Sequence, residues 1–323
     1  MKYSLSFFLL CGWLFSSAQI KSPVGSYHVN RNHDPQGGSN FFLLANNKYV
    51  VVFFGGAQTG VWKMEKDSLI KFTPEVNDQA FKLYGRKNED LGDSLKVFFN
   101  NFEERQTFIS VNPASHQKTS MRRVYNKDPN CFTFPYVYKF KTAGDSLSFS
   151  HQLAERVQKD SLLHQIFTFK NKDKYNDFVA YYFPLKYHDR PYFAKMSKQG
   201  LIFNDDNYVK RQDLPTAGED LKFIQGIVDA DKKPQLVFYN PYYGSPEKDL
   251  SKDRNYSYNE KKGAYINILN YKEGQENKEE EDSFNNMNLV YPFKLIADFS
   301  IAEKTIIVVE KPLFNVTCRS VEN

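Results

Sequence analysis

Asn40-Phe41-Phe42-Leu43-Leu44, a pause at Asn46-Asn47, then Lys48-Tyr49-Val50-Val51-Val52-Phe53-Phe54 is the stretch that decides the fold class. Two strand-length runs of aromatic and branched residues flank a dipeptide that tolerates turn geometry, which is the pattern of a β-hairpin. Gly55-Gly56 ends the second run, and Gly60 to Met64 and Leu69 to Thr73 repeat the pattern. Further along, Leu95 to Phe99, Thr107 to Val111, Cys131 to Phe140, Leu147 to Leu153, His164 to Phe169 and Asp177 to Phe183 are of the same kind. So are Gln235 to Tyr239, Ala264 to Leu269, Asn288 to Ile296 and Thr305 to Val309. Long helical periodicity is scarce. Leu153 to Ile166 fits either a short amphipathic helix or a hairpin, and Lys159-Asp160-Ser161 breaks the run in favour of the hairpin. The expected class is mainly β: an antiparallel barrel or sandwich followed by a second β-rich domain.

Residues 24–112 form the expected first domain and residues 131–323 the second. The polar, turn-rich stretch 113–130 reads as a linker. Within the first block Gly25-Ser26-Tyr27 precedes the hairpin, then come Gly60-Val61-Trp62-Lys63 and Asp67-Ser68-Leu69-Ile70-Lys71-Phe72-Thr73-Pro74. This order resembles small lipocalin-like envelope domains, in which a Gly-x-Trp strand leads to an Asp-turn strand ending near proline. The resemblance implies a barrel. It departs from typical lipocalins in having two strands ahead of the Gly-x-Trp. Lys248 to Lys262 and Gly274 to Asp282 are too polar for strands and read as surface excursions.

The chain has 323 residues, 41% hydrophobic, 25% charged and 16% aromatic, with a formal charge of +5. That composition excludes collagen, a coiled coil and wholesale disorder. Residues 1–18 hold a single charge, Lys2, then the apolar run Leu5 to Phe15, with Ser16 and Ala18 at −3 and −1 of a cut before Gln19. These are the parts of a secretory signal peptide, and the apolar run is shorter than the ~20 residues that span a bilayer. A buried strand or an anchor is the alternative. Cleavage leaves +4, too little and too dispersed for a nucleic-acid interface. The expected location is the periplasm, the outer cell surface or the extracellular space. No transmembrane segment is expected in the mature chain.

Cys11 leaves with the signal, which leaves Cys131 and Cys318 as an even pair in an oxidising compartment. They are either a disulfide or two buried thiols; the disulfide is the expectation carried forward. Asp-Ser-Leu occurs four times, with serines at Ser68, Ser94, Ser146 and Ser161. Asp and Ser close turns by bonding their own backbone, which explains the tripeptide ahead of each strand. It also resembles the O-glycosylation sequon of secreted Bacteroidota proteins, which implies modification at those serines.

Nucleotide-binding, metalloprotease and nucleophile-elbow motifs are missing from the sequence. His188-Asp189-Arg190 puts three functional types side by side, but neighbours on a strand face opposite ways. His28, His33 and Asp34 are too few for a closed tetrahedral metal site. Asn204-Asp205-Asp206-Asn207 lacks the spacing of a calcium loop. No cofactor or metal is expected. Aromatic loops remain: Tyr181 to Tyr192, and above all Tyr239, Tyr242 and Tyr243 around Asn240-Pro241. Rings with polar tips suit recognition of sugars or peptides. The leading expectation is a non-enzymatic binding or structural module whose partner is carbohydrate or another envelope protein. The rival is a secreted hydrolase acting on polysaccharide or peptide, since its two acids need no local motif.

Overall fold

A computed structural model describes residues 22–30, 38–65, 68–75, 79–113, 119–152, 163–184, 190–203, 207–230, 234–246, 248–274 and 283–318. The expected signal segment, Ser161, His188-Asp189, His33-Asp34 and the acidic run 275–282 lie outside these residues. The protein is mainly β. Strands are numbered β1 to β21 in chain order. The described residues form two compact units, one within Met1–Val76 and Tyr187–Lys232, the other within Asn77–Lys186 and Lys233–Asn323.

The first unit is an eight-stranded antiparallel meander. It runs β1 (Gly25–Val29), β2 (Ser39–Leu43), β3 (Lys48–Phe53), β4 (Gly56–Met64), β5 (Leu69–Pro74), β14 (Tyr192–Met196), β15 (Gly200–Phe203), β16 (Asn207–Lys210). Paired hydrogen bonds of 2.9 Å between the Ser26 and Gln212 backbones join the last edge to the first. The hairpin read from sequence is present. Asn47 adopts φ +62° between β2 and β3, and Asn46 Oδ1 accepts from the Lys48 amide. Alternation turns Tyr27, Leu43, Tyr49, Val51, Trp62, Ile70, Phe72, Ala194, Leu201, Phe203 and Val209 to one buried face.

Gly60 has a packing reason. It lies opposite Tyr49 on β3, and a Cβ there would sit 2.3 Å from the Thr73 carbonyl and 2.5 Å from the Tyr49 ring. Two residues on, Trp62 points the same way and its Nε1–H donates to the Leu44 carbonyl at 3.0 Å. The Gly-x-Trp run is thus a slot for a tyrosine ring beside a hydrogen-bonded indole. Phe72 stacks on Tyr192 at 4.9 Å, Tyr49 meets Phe72 edge-on at 5.3 Å, and Phe41 packs on Phe203 at 4.8 Å. These rings fill the buried face. Helix α1 (Gly218–Ala230) packs on β3 and β4 with Ile224 buried. It was not expected, although Leu221, Ile224 and Val228 hold helical spacing.

The second unit contains a mixed sheet and a closed five-stranded sheet. The mixed sheet is ordered β10 (Tyr136–Phe140), β7 (Leu95–Asn100), β13 (Asp177–Tyr182), β6 (Phe81–Arg86), β20 (Leu289–Leu295), β19 (Ala264–Asn267), β18 (Tyr256–Asn259). β17 (Leu236–Tyr239) also pairs with β20. The closed sheet is β11 (Ser146–Gln152), β12 (Leu163–Lys170), β21 (Phe299–Val309), β9 (Thr119–Arg123), β8 (Thr107–Val111). Phe81 centres the shared core, within 6 Å of Phe102, Phe149, Phe167 and Tyr182. The Cys131 and Cys318 sulfurs stand 2.00 Å apart, joining residues 187 apart in sequence.

Several readings are corrected by the pairing. Leu95 to Val111, placed by sequence in the first block, supplies β7 and β8 of the second unit. Tyr192 to Lys210, placed in the second block, completes the first sheet. Residues 119–123 of the expected linker are strand β9. Tyr256–Asn259, inside a segment judged too polar, is strand β18. Partners such as β5 with β14 and β9 with β21 lie far apart in sequence, and the edge strand β18 needs few apolar residues. β11 and β12 pair antiparallel with Gln152 opposite His164, as the hairpin reading requires of the flanks of 153–162.

Candidate functional site

In the second unit, a cleft of about 610 Å³ opens along β17. Alternation on β13 sends Val179 and Tyr181 to the face opposite the Phe81 core, where Tyr84, Phe98, Tyr239, Tyr243 and Phe293 form a second apolar cluster. Tyr181 ends in the cleft, and its hydroxyl is hydrogen-bonded to that of Tyr239 at the end of β17. Asn100, the last residue of β7, donates its Nδ2–H to the Tyr239 hydroxyl at 3.5 Å. The Tyr84 hydroxyl donates to the Pro234 carbonyl at 3.2 Å and fixes the start of the cleft wall. Pro234 to Phe238 form that wall, with Ser245, Lys248, Asp249 and Ser251 also lining the cleft.

The floor stays neutral. Burial, then the neighbouring Tyr239, pushes the Tyr181 hydroxyl far above the usual phenol range. The same two causes push Tyr84 up to about 12. The charged lining residues Asp249 and Lys248 are both hydrogen-bonded. Asp249 accepts from the Ser251 hydroxyl at 2.6 Å and the Ser251 amide at 3.0 Å, and the hydroxyl bond leads in lowering its pKa. Lys248 is paired with Asp253 at 2.5 Å. Among the described residues, Asp249 is the carboxylate that lines the cleft. The arrangement can donate and accept hydrogen bonds from hydroxyls and amides and offer an apolar wall.

The tyrosine cluster read from sequence does not form a surface platform. Tyr239 and Tyr243 are 3% and 5% exposed, and Tyr242 is half-buried. Asn240 ties the turn: its Nδ2 donates to the carbonyls of Ser283, Phe284 and Asn286, and its Oδ1 accepts from the Tyr242 and Gly244 amides. Of the three, Tyr239 alone lines the cleft. Tyr243 instead donates to Asp177 Oδ1 at 2.8 Å. Asp177, 1% exposed, also meets Arg86 at 2.7 Å and Lys96 at 3.9 Å, with Arg86 stacked 3.7 Å from the Tyr291 ring centre. This network pins four strands and the turn. Its members are scattered over the sequence, so no local signal marked it.

A buried histidine pair lies in the closed sheet. His151 Nε2 meets Gln165 Oε1 at 3.2 Å. His164 Nδ1, Ser150 Oγ and Thr107 Oγ1 are buried without partners. No carboxylate joins them among the hydrogen bonds of the described residues. His28 Nδ1 meets Asn40 Oδ1 at 2.8 Å on β1 and β2, and Arg190 is exposed. No group of three or more metal-binding side chains occurs among the described residues. Among them, too, no helix is long and apolar enough to cross a membrane. Ser68, Ser94 and Ser146 are each half-exposed at the start of β5, β7 and β11.

Asn100, Gln235, Ser245 and Ser251 were missed from sequence, because nothing distinguishes a lining amide or hydroxyl from any other polar residue. Tyr181 stood in the second aromatic stretch and does line the cleft. Comparison with protein-family models, curated proteins and solved structures finds no match for the chain.

Proposed function

We propose that the chain is an exported, non-enzymatic binding module, and that the β17 cleft holds a neutral polyhydroxylated ligand, a carbohydrate. The observation that carries this reading is the floor of the cleft: two phenols and an amide, all uncharged, beside an apolar wall. Sugars present hydroxyls in and around the ring plane and an apolar face, which such a lining satisfies in both parts. The apolar run with Ser16 and Ala18 supports export to the periplasm, cell surface or medium. The eight-stranded meander supports a lipocalin-like reading of the first unit, with its rings packed inside. Modification at Ser68, Ser94, Ser146 and Ser161 belongs to the same proposal.

A neutral-oligosaccharide array probed with the purified chain, followed by calorimetry, tests it. Saturable binding is expected. Tyr181→Phe keeps the ring and removes the hydroxyl, and should weaken binding about tenfold, the worth of one buried hydrogen bond of about 1.5 kcal/mol. Turnover of a polysaccharide or peptide, or binding indifferent to Tyr181→Phe, would overturn it.

A further inference from the structure

A second pocket, of about 270 Å³, lies in the first unit, where the β14–β15 turn, the end of β16 and the segment before β1 converge. It is lined by Lys198, Lys210 and Arg211, together with Ser22, Gln199 and Tyr27, and among the described residues no carboxylate lines it. Arg211 is positioned rather than free. Its Nε–H donates to the Val24 carbonyl at 2.6 Å, and its backbone amide donates to the Gln199 carbonyl at 2.9 Å. Gly25 leaves the room for this: a Cβ there would lie 2.8 Å from Arg211 Nε. Gly200 holds the turn close in the same way, since a Cβ there would meet the Val209 carbonyl at 2.0 Å. Tyr27 donates its hydroxyl to the Pro23 carbonyl at 2.6 Å, and burial pushes its pKa up to about 12, so it adds no negative charge. The nearest acid paired to the set is Asp213, 3.4 Å from one Arg211 arm and with its side chain 95% exposed. Among the described residues, three cations against one peripheral carboxylate leave an excess of two positive charges.

We propose that this pocket binds a phosphate monoester, whose charge of about −1.5 to −2 at neutral pH matches that excess. The planar fork of a held guanidinium suits phosphate oxygens, and the two ammonium groups supply point charges beside it. The group can be carried by a small soluble molecule or by a lipid headgroup.

Calorimetric titration of the full chain at low ionic strength decides, with inorganic phosphate, glycerol 3-phosphate, and vesicles containing phosphatidic acid as probes. One-to-one phosphate binding is expected. It should weaken about tenfold or more in Lys198→Ala with Lys210→Ala, strengthen in Asp213→Asn, and decline with added salt. Both lysines are exposed, so the ligand-free melting temperature of the double variant should match the parent. Preference for glycerol 3-phosphate identifies a soluble ligand, and preference for the vesicles identifies a headgroup. Failure of all three probes to bind, or binding that the double variant leaves unchanged, overturns the proposal. Neither result touches the carbohydrate cleft, which holds none of these residues.

Discussion

At the scale of single residues, burial sets the behaviour of this protein's polar groups. His164 is pushed down from 6.5 to about 4 by burial, with His151 and Arg123 adding to the effect. The unfolded chain therefore takes up a proton before the folded one does. Stability from the neutral ring is complete above about pH 6.5 and is lost as pH falls through about 4. Denaturant melts from pH 7 to 4 should show a smaller loss for His164→Asn than for the parent; parallel curves would refute it. Tyr243 was read from sequence as a ligand contact, and its hydroxyl is bonded to Asp177 inside the second unit. Tyr243→Phe leaves a buried carboxylate short of a donor. Chemical denaturation should register a loss of about 1–3 kcal/mol, with oligosaccharide affinity unchanged. Unchanged stability with lost affinity would restore the sequence reading. Composition does not report this contact: a tyrosine-rich turn looks the same whether its rings face solvent or a buried aspartate.

Among the elements, the legible ones were those whose own residues settle their state. The β2–β3 hairpin was readable because the branched runs and the Asn46-Asn47 turn lie together in sequence. The Asp-Ser-Leu tripeptides were readable as strand openers, and three sit at the start of β5, β7 and β11. Short strands such as β15 and β16, four residues each, carry too little pattern to declare themselves. The C-terminal segment is a further case. Asn126 and Asn130 accept from the Val316 and Cys318 amides at 2.8 and 2.9 Å, and the Phe314 ring packs against Phe99, Tyr136 and Tyr138. The Cys131–Cys318 link ties this segment down across a long loop. Reduction, or Cys131→Ser with Cys318→Ser, should cost about 2–5 kcal/mol by chemical denaturation. Identical unfolding curves with and without reductant would show that the link contributes nothing.

For the whole molecule, the class was legible and the partition was not. Aromatic and branched runs separated by turn residues are enough to announce a β protein. Which strand pairs with which depends on contacts between residues more than a hundred apart, as in β5 with β14. No local pattern reports such a pairing, so the first sheet is completed by strands that sequence alone assigned elsewhere. The cleft shares this character. It gathers Asn100, Tyr181 and Tyr239 from three strands, and only the tyrosines drew notice in the sequence. Crystals of the full chain grown with the best-binding neutral oligosaccharide test the cleft most directly. A sugar hydroxyl should lie within hydrogen-bond distance of the Tyr181 or Tyr239 hydroxyl, with the sugar against the Pro234 to Phe238 wall. A sugar seated elsewhere, with the β17 cleft empty, would contradict the assignment.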